Sequence, residues 1–160
     1  MCLDEVLEEK EDWKSPCTIS VPYSANLKRM LELGGHHPHE PVLHGDFSLK
    51  GGEYTRKIIV KLVGFDRPMT SFEVAKELRA MGLRPCTTEE LIAFGGAYGN
   101  FQKSFLIIAL GSSVYYNFLA HVPVLTACSD GQCFDLRDRA YTWKESCKFL
   151  ATPLQTSPAI

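Results

Sequence analysis

Glu77-Leu-Arg-Ala-Met-Gly-Leu-Arg-Pro-Cys-Thr-Thr-Glu-Glu-Leu-Ile-Ala-Phe-Gly-Gly-Ala-Tyr98 ends one helix and holds the whole of the next. Thr87 and Glu90 have capping-box spacing, in which each side chain satisfies a backbone N–H at the helix start. Leu91, Ile92 and Phe94 supply an apolar face, and Gly95-Gly96 weaken the helix end. Upstream, Thr70 and Glu73 repeat the spacing. Phe72, Val74, Ala75, Leu78 and Met81 then run at helical period up to Gly82, a natural C-terminal stop. A link as short as Leu83-Arg84-Pro85-Cys86 makes the two helices spatial neighbours.

Outward from this pair the period changes. On the N-terminal side, Tyr54 to Phe65 alternates Ile58, Val60 and Leu62 with Lys57, Ile59 and Lys61, the mark of a strand with one wetter face. On the C-terminal side, Phe105–Leu110 reads as a doubly buried strand, followed by shorter ones at Val122–Leu125, Gln132–Leu136 and Lys148–Ala151. Strand, two helices, then several strands predicts an α+β domain over 54–152 with a small, mostly antiparallel, loop-rich sheet. Residues 153–160 read as a tail. Residues 1–53 read as an extension with a short strand at Cys17–Val21 and a helix over Ala25–Leu33 capped by Ser24. The rest of it, 34–52, reads as a long loop rich in glycine, proline and histidine.

The charged fraction is 22%, the hydrophobic fraction 45% and the net charge −2, all ordinary for a globular protein. With no Lys/Arg-rich run, a nucleic-acid partner is not expected. No apolar run approaches a membrane span. Residues 1–12 are acidic and lack a basic start and an apolar core, so they do not read as a secretory signal. The chain reads as cytoplasmic by default, or displayed by another route. Its six cysteines lie at 2, 17, 86, 128, 133 and 147 and read as scattered reduced thiols. Cys128 and Cys133 pair only if they flank a hairpin. His36, His37, His39 and His44, with Glu40 and Asp46, offer ligand types that suit zinc or nickel. Pro38, Pro41 and two glycine pairs leave them on a flexible loop, so neither a metal nor a cofactor is assigned. No Ser/His/Asp order, phosphate-cradling loop or acid pair stands out.

The 77–98 segment resembles the "helix, LR-P-T, acidic helix, glycines" stretch of the formylglycine-generating-enzyme branch of C-type-lectin-like folds. The close, Trp143 to Ala151, is similar to that branch's "W…CRF" ending. Within the branch, the chain resembles the variable proteins of diversity-generating retroelements, of the kind found in archaea and candidate-phylum bacteria. The matching pieces are Ala109–Ser112, Val122–Leu125, Phe134–Leu136, Trp143 and Lys148–Ala151, in that order. The resemblance spans about 70–150 and leaves 1–50 uncovered. It implies a C-type-lectin-like fold and a surface rewritten by adenine-directed copying, which yields many residue types but not Lys, Glu, Gln, Met or Trp. Those five types are absent from 113–121, 126–131 and 137–142. The Glu-Pro-Asn and Gln-Pro-Asp motifs of sugar-binding lectins are absent, so calcium and sugar are not implied.

The residue types in these windows suit binding on their own account. Tyr115, Tyr116, Asn117, Phe118, Ala120 and His121 form one group; Ala127, Cys128, Ser129 and Asp130 a second; Arg137, Asp138, Arg139, Ala140 and Tyr141 a third. Tyrosine gives large contact area with few torsions to freeze, and Arg and Tyr dominate interface hot spots. The leading expectation is a non-enzymatic binding protein whose three loops form one face for an unknown ligand, expected to be a protein. The rivals are a small oxidoreductase of the formylglycine-generating type, using Cys128, Cys133 or Cys147, and a structural or oligomer-forming protein. Trp143, Phe134, Leu136, Phe149 and Leu150 read as scaffold.

Overall fold

The computed structural model describes residues 12–24, 26–49, 51–129 and 131–154. The readings of residues 1–11, Asp130 and 155–160 fall outside them. The chain is mixed α+β, with four α-helices and a large sheet among the described residues. The strands are β1 (Cys17–Tyr23), β2 (His37–Pro38), β3 (Asp46–Phe47), β4 (Tyr54–Gly64), β5 (Met69–Thr70), β6 (Leu83–Pro85), β7 (Ile107–Ile108), β8 (Val114–Tyr116), β9 (Leu119–Cys128), β10 (Gly131–Asp138), β11 (Thr142–Trp143) and β12 (Lys148–Pro153). The helices are α1 (Leu27–Leu33), α2 (Glu40–His44), α3 (Ser71–Ala80) and α4 (Thr88–Ala97).

The main sheet runs β1-β4-β12-β7-β9-β10-β2, with β6 on β12 and a β3–β8 branch on β9. Pairing is antiparallel except at β12–β7 and β10–β2. The 1–53 segment supplies β1, β2 and β3 to this sheet, pairing with β4, β10 and β8. Within the stretch 34–52, expected as a loop, 37–47 is therefore ordered: backbone pairing and helix α2 fix it in place.

Period-2 alternation splits the core in two. Leu62, Ile107, Leu125 and Leu150 face one cluster, closed by Met30 and Leu31 of α1 and Leu91 and Phe94 of α4. Their neighbours Val63, Ile108, Val124 and Phe149 face the other, closed by Val74 and Leu78 of α3 and by Trp143. A sheet covered on both sides needs apolar residues at consecutive positions, which is why 107–110 is buried without a break. Regular strand in that run is confined to Ile107–Ile108.

The Thr70–Glu73 box closes in both directions, while at Thr87–Glu90 only the Glu90 half forms and Thr87 Oγ1 is buried without a hydrogen-bond partner. Thr70 Oγ1 accepts the Glu73 N–H at 3.2 Å, and Glu73 accepts the Thr70 N–H at 3.0 Å. Glu90 accepts the Thr87 N–H at 2.8 Å. The first helix differs in its cap. Asn26, not Ser24, accepts from the Arg29 N–H, and Ser24 Oγ instead accepts the Asn26 N–H. On α3 the buried stripe is Ser71, Val74 and Leu78; Phe72 and Met81 lie off it and are exposed. The glycines of α4 serve close packing. A Cβ on Gly96 would lie 3.1 Å from Gly34 Cα, so the end of α1 and α4 meet backbone to backbone. Lys148 reaches the surface through an aromatic clamp, its Nζ 4.6 Å from the Trp13 ring centre and 5.0 Å from that of Phe105.

Candidate functional site

The first candidate group, 115–121, is a hairpin rather than a loop. Tyr116 pairs with Leu119, leaving a two-residue turn at Asn117 (φ 51°) and Phe118 (φ 65°). Two positive φ values make a type I′ turn, whose twist suits a hairpin. Asn tolerates this region; Phe does so at a cost. The Phe118 ring is fully exposed, at 105% of its reference area, with Tyr115 at 59% beside it on β8. Tyr116 meets the His121 ring edge-on at 5.6 Å.

The third group, 137–141, joins this end. Asp138 pairs with His121, and the Arg139 N–H donates to Ala120 O at 3.0 Å. Arg139 is tied down further. Its guanidinium donates to Leu110 O at 3.2 Å, and its carbonyl accepts from Ser71 Oγ at 2.7 Å. Ser71 in turn accepts the buried Trp143 indole N–H at 2.9 Å, which makes Trp143 scaffold, as its position suggests. Tyr141 packs on Trp143 at 5.1 Å but keeps an exposed face.

A cleft of about 570 Å³ opens beside Tyr115. Ser48, Arg56, Ser112 and Ser113 line its walls, and Tyr23, Arg84 and Glu90 its floor. The floor is a paired charge. Arg84 donates twice to Glu90, at 3.0 and 2.8 Å, and Tyr23 Oη–H donates at 3.2 Å. Burial pushes the Glu90 carboxyl up, but Arg84, the Thr87 N–H and Tyr23 outweigh it and hold it below its ordinary value. Burial, then Glu90, pushes the Tyr23 hydroxyl far up, so it stays protonated and donates.

The described residues of the second group, 127–129, lie elsewhere. β9 and β10 form a hairpin in which Cys128 pairs with Gly131 and Cys133 with Thr126. The two cysteines are joined as a disulfide with Cα atoms 5.9 Å apart, which corrects the reduced-thiol reading for this pair. Diagonal neighbours on one face of a hairpin are close enough to bridge. Cys86 and Cys147 are free. Leu119 and Cys128 mark opposite ends of β9, nine residues or roughly 30 Å apart at about 3.3 Å per residue. The three groups thus make two surfaces, not one face.

The histidines separate as well. His36 is buried, its Nε2 2.9 Å from Ile92 O, and burial holds its pKa down, so it is a neutral packing residue. His39 sits at the disulfide end, Nδ1 3.0 Å from Asp135. A nitrogen of His39 and the sulfurs of Cys128 and Cys133 all lie within 4.8 Å of one another. Cys147 is not among them. Lys148, Ile107, Leu125 and Phe134 stand in one row across four strands, so Cys147 and Cys133 are three strand spacings, roughly 14 Å, apart.

Sequence reasoning did not find Tyr23, Ser48 or Arg56, because β1, the segment after β3, and β4 carry them to the cleft from far along the chain. The capping spacing did flag Glu90, though as a local cap rather than as the cleft floor. No protein-family model, no curated protein and no solved structure matches the chain.

Proposed function

We propose that the chain is a binding protein of C-type-lectin-like build, not an enzyme, whose C-terminal surface is diversified by adenine-directed copying. One observation carries this reading. Every described residue of the three candidate groups is at least partly exposed, while Val114, Val122 and Trp143, which flank these groups along the chain, are buried. Substitution at the candidate positions is thereby separated from substitution in the core, which is what a tolerant recognition surface requires. The principal surface is the end holding Tyr115, Phe118, Asp138 and Tyr141 beside the cleft. Exposed aromatic side chains on a rigid hairpin suit a protein target, where they bury large area at small entropic cost. Residues 127–129 form a second, smaller patch.

The test is in the DNA. The neighbourhood of the coding sequence should hold a reverse transcriptase gene and a near-repeat of the segment encoding about 113–142, differing from it at adenines alone. A repeat that differs at other bases, or no repeat, removes the diversification.

A further inference from the structure

The geometry points to a metal site at the end of the β9–β10 hairpin: once the Cys128–Cys133 bond is reduced, the two thiolates and His39 bind a borderline-soft divalent cation of the zinc class. Three observations on separate elements carry it. The donor atoms of all three residues already lie within 4.8 Å of one another. A tetrahedral zinc site, with Zn–S about 2.3 Å and Zn–N about 2.0 Å, places its donors roughly 3.5–3.8 Å apart. Breaking the S–S bond lets the sulfurs separate to that spacing without moving the strands.

The imidazole is also held from behind. β2 pairs in parallel with Cys133–Phe134, and the His39 N–H donates to Phe134 O at 2.9 Å, fixing the backbone. Asp135 lies 3.0 Å from His39 Nδ1. A carboxylate on one ring nitrogen fixes the tautomer and leaves the other nitrogen's lone pair for a metal, as in carboxylate–histidine–zinc triads. Asp135 is itself set by accepting the Leu136 N–H at 2.8 Å and Arg137 at 3.0 Å. The third observation is access: Cys128 and His39 are partly exposed while Cys133 is buried, so the site opens to solvent on one side. Three protein ligands leave a fourth position for water.

The redox step balances with a dithiol as reductant. Its two S–H groups become a disulfide as the Cys128–Cys133 bond takes up two electrons and two protons. Metal binding then expels the two thiol protons to solvent. The oxidised chain keeps a staple, and the reduced chain gains a metal clip at the same place.

The full chain should be reduced with a water-soluble phosphine, which takes oxygen from water to become the phosphine oxide, and titrated anaerobically with Co²⁺. One equivalent should bind, with a thiolate-to-cobalt charge-transfer band and tetrahedral visible bands, and Zn²⁺ should bleach both. The oxidised chain should show neither. Cys128→Ser, at a half-exposed position that leaves the core intact, should lose the charge-transfer band, as should Cys133→Ser. Asp135→Asn should weaken Co²⁺ binding about 10–100-fold. His37→Ala with His44→Ala should leave the spectrum unchanged. The site is overturned if the reduced chain gives no thiolate band, or if the band survives in Cys128→Ser folded by near-UV circular dichroism.

Discussion

The two ends of the β9–β10 ribbon are built to opposite purposes. At the Leu119 end, a turn with two positive-φ residues holds a fully exposed phenyl ring, and Tyr115 of the same hairpin lines the cleft. At the Cys128 end, a covalent bond, a docked β2 and the Gln102 amide, which donates to Thr126 O at 2.8 Å, pin both strands. One ribbon therefore anchors at one end what it presents at the other. Surface variation is tolerable where the backbone is already determined by neighbours. The open end is not uniformly free, however, because its cleft rests on the Glu90–Arg84 pair.

That pair gives the largest expected effect. Glu90 is 1% exposed, and removing it strands a half-buried guanidinium and the Tyr23 hydroxyl. Glu90→Ala should cost about 3 kcal/mol in urea unfolding, the low end for a broken buried pair, because 33% of the Arg84 side chain remains in solvent. The pH dependence follows from the depressed Glu90 pKa. Its stabilisation is fully present above the unfolded carboxylate value of about 4.3 and is lost as pH falls through the lower folded value. The acid-induced drop in urea midpoint should shrink in the variant. A small, pH-independent loss would mean that the open end has no structural floor. Thr70→Ala at the solvent-facing capping box should cost about 1 kcal/mol, the ordinary worth of a cap.

The closed end comes next. Cys128→Ser with Cys133→Ser opens a loop of sequence separation 5. For a loop so short, chain entropy predicts a loss of about 2 kcal/mol, read as a lower melting temperature under oxidising conditions. The same pair of changes should leave binding at the open end intact. A binding loss equal to that of open-end variants would merge the two ends into one surface.

How far the sequence reveals this contrast depends on range. Thr70–Glu73 and Thr87–Glu90 are local signals, and the helices they start are where they predict. Alternation found β4, and short apolar runs found β9, β10 and β12, because both are local patterns. What local pattern misses is pairing between distant segments. His37–Pro38 looks like loop chemistry until Cys133–Phe134 is beside it, and the ordered β2, α2 and β3 follow from such pairings. Glu90 reads as a cap, and its bond to Tyr23, 67 residues away, carries no local mark. The three candidate groups all read as loops for a similar reason. Tyr115 to His121 contains no glycine at its turn, so the type I′ hairpin lacks its usual signature, and Phe118 at φ 65° is the residue that hides it.

Phe118 is thus the sharpest probe of the comparison. A non-glycine residue in the left-handed region costs on the order of 1 kcal/mol, and its ring makes up for none of that by burial. Phe118→Gly removes the strain and supplies the turn's preferred residue, so it should raise thermal stability by an amount equivalent to about 1 kcal/mol. Phe118→Asn should give part of that gain, because asparagine tolerates the same conformation. Ordinary surface substitutions change stability by about 0.5 kcal/mol or less in either direction, so a gain of this size is measurable. If the open end is a recognition surface, Phe118→Gly gains stability while losing affinity for whatever the hairpin binds, because the phenyl ring goes with the strain. If instead Phe118→Gly destabilises the fold, the ring is packing against something at that end, and the division of the ribbon into an anchored end and a presenting end fails there.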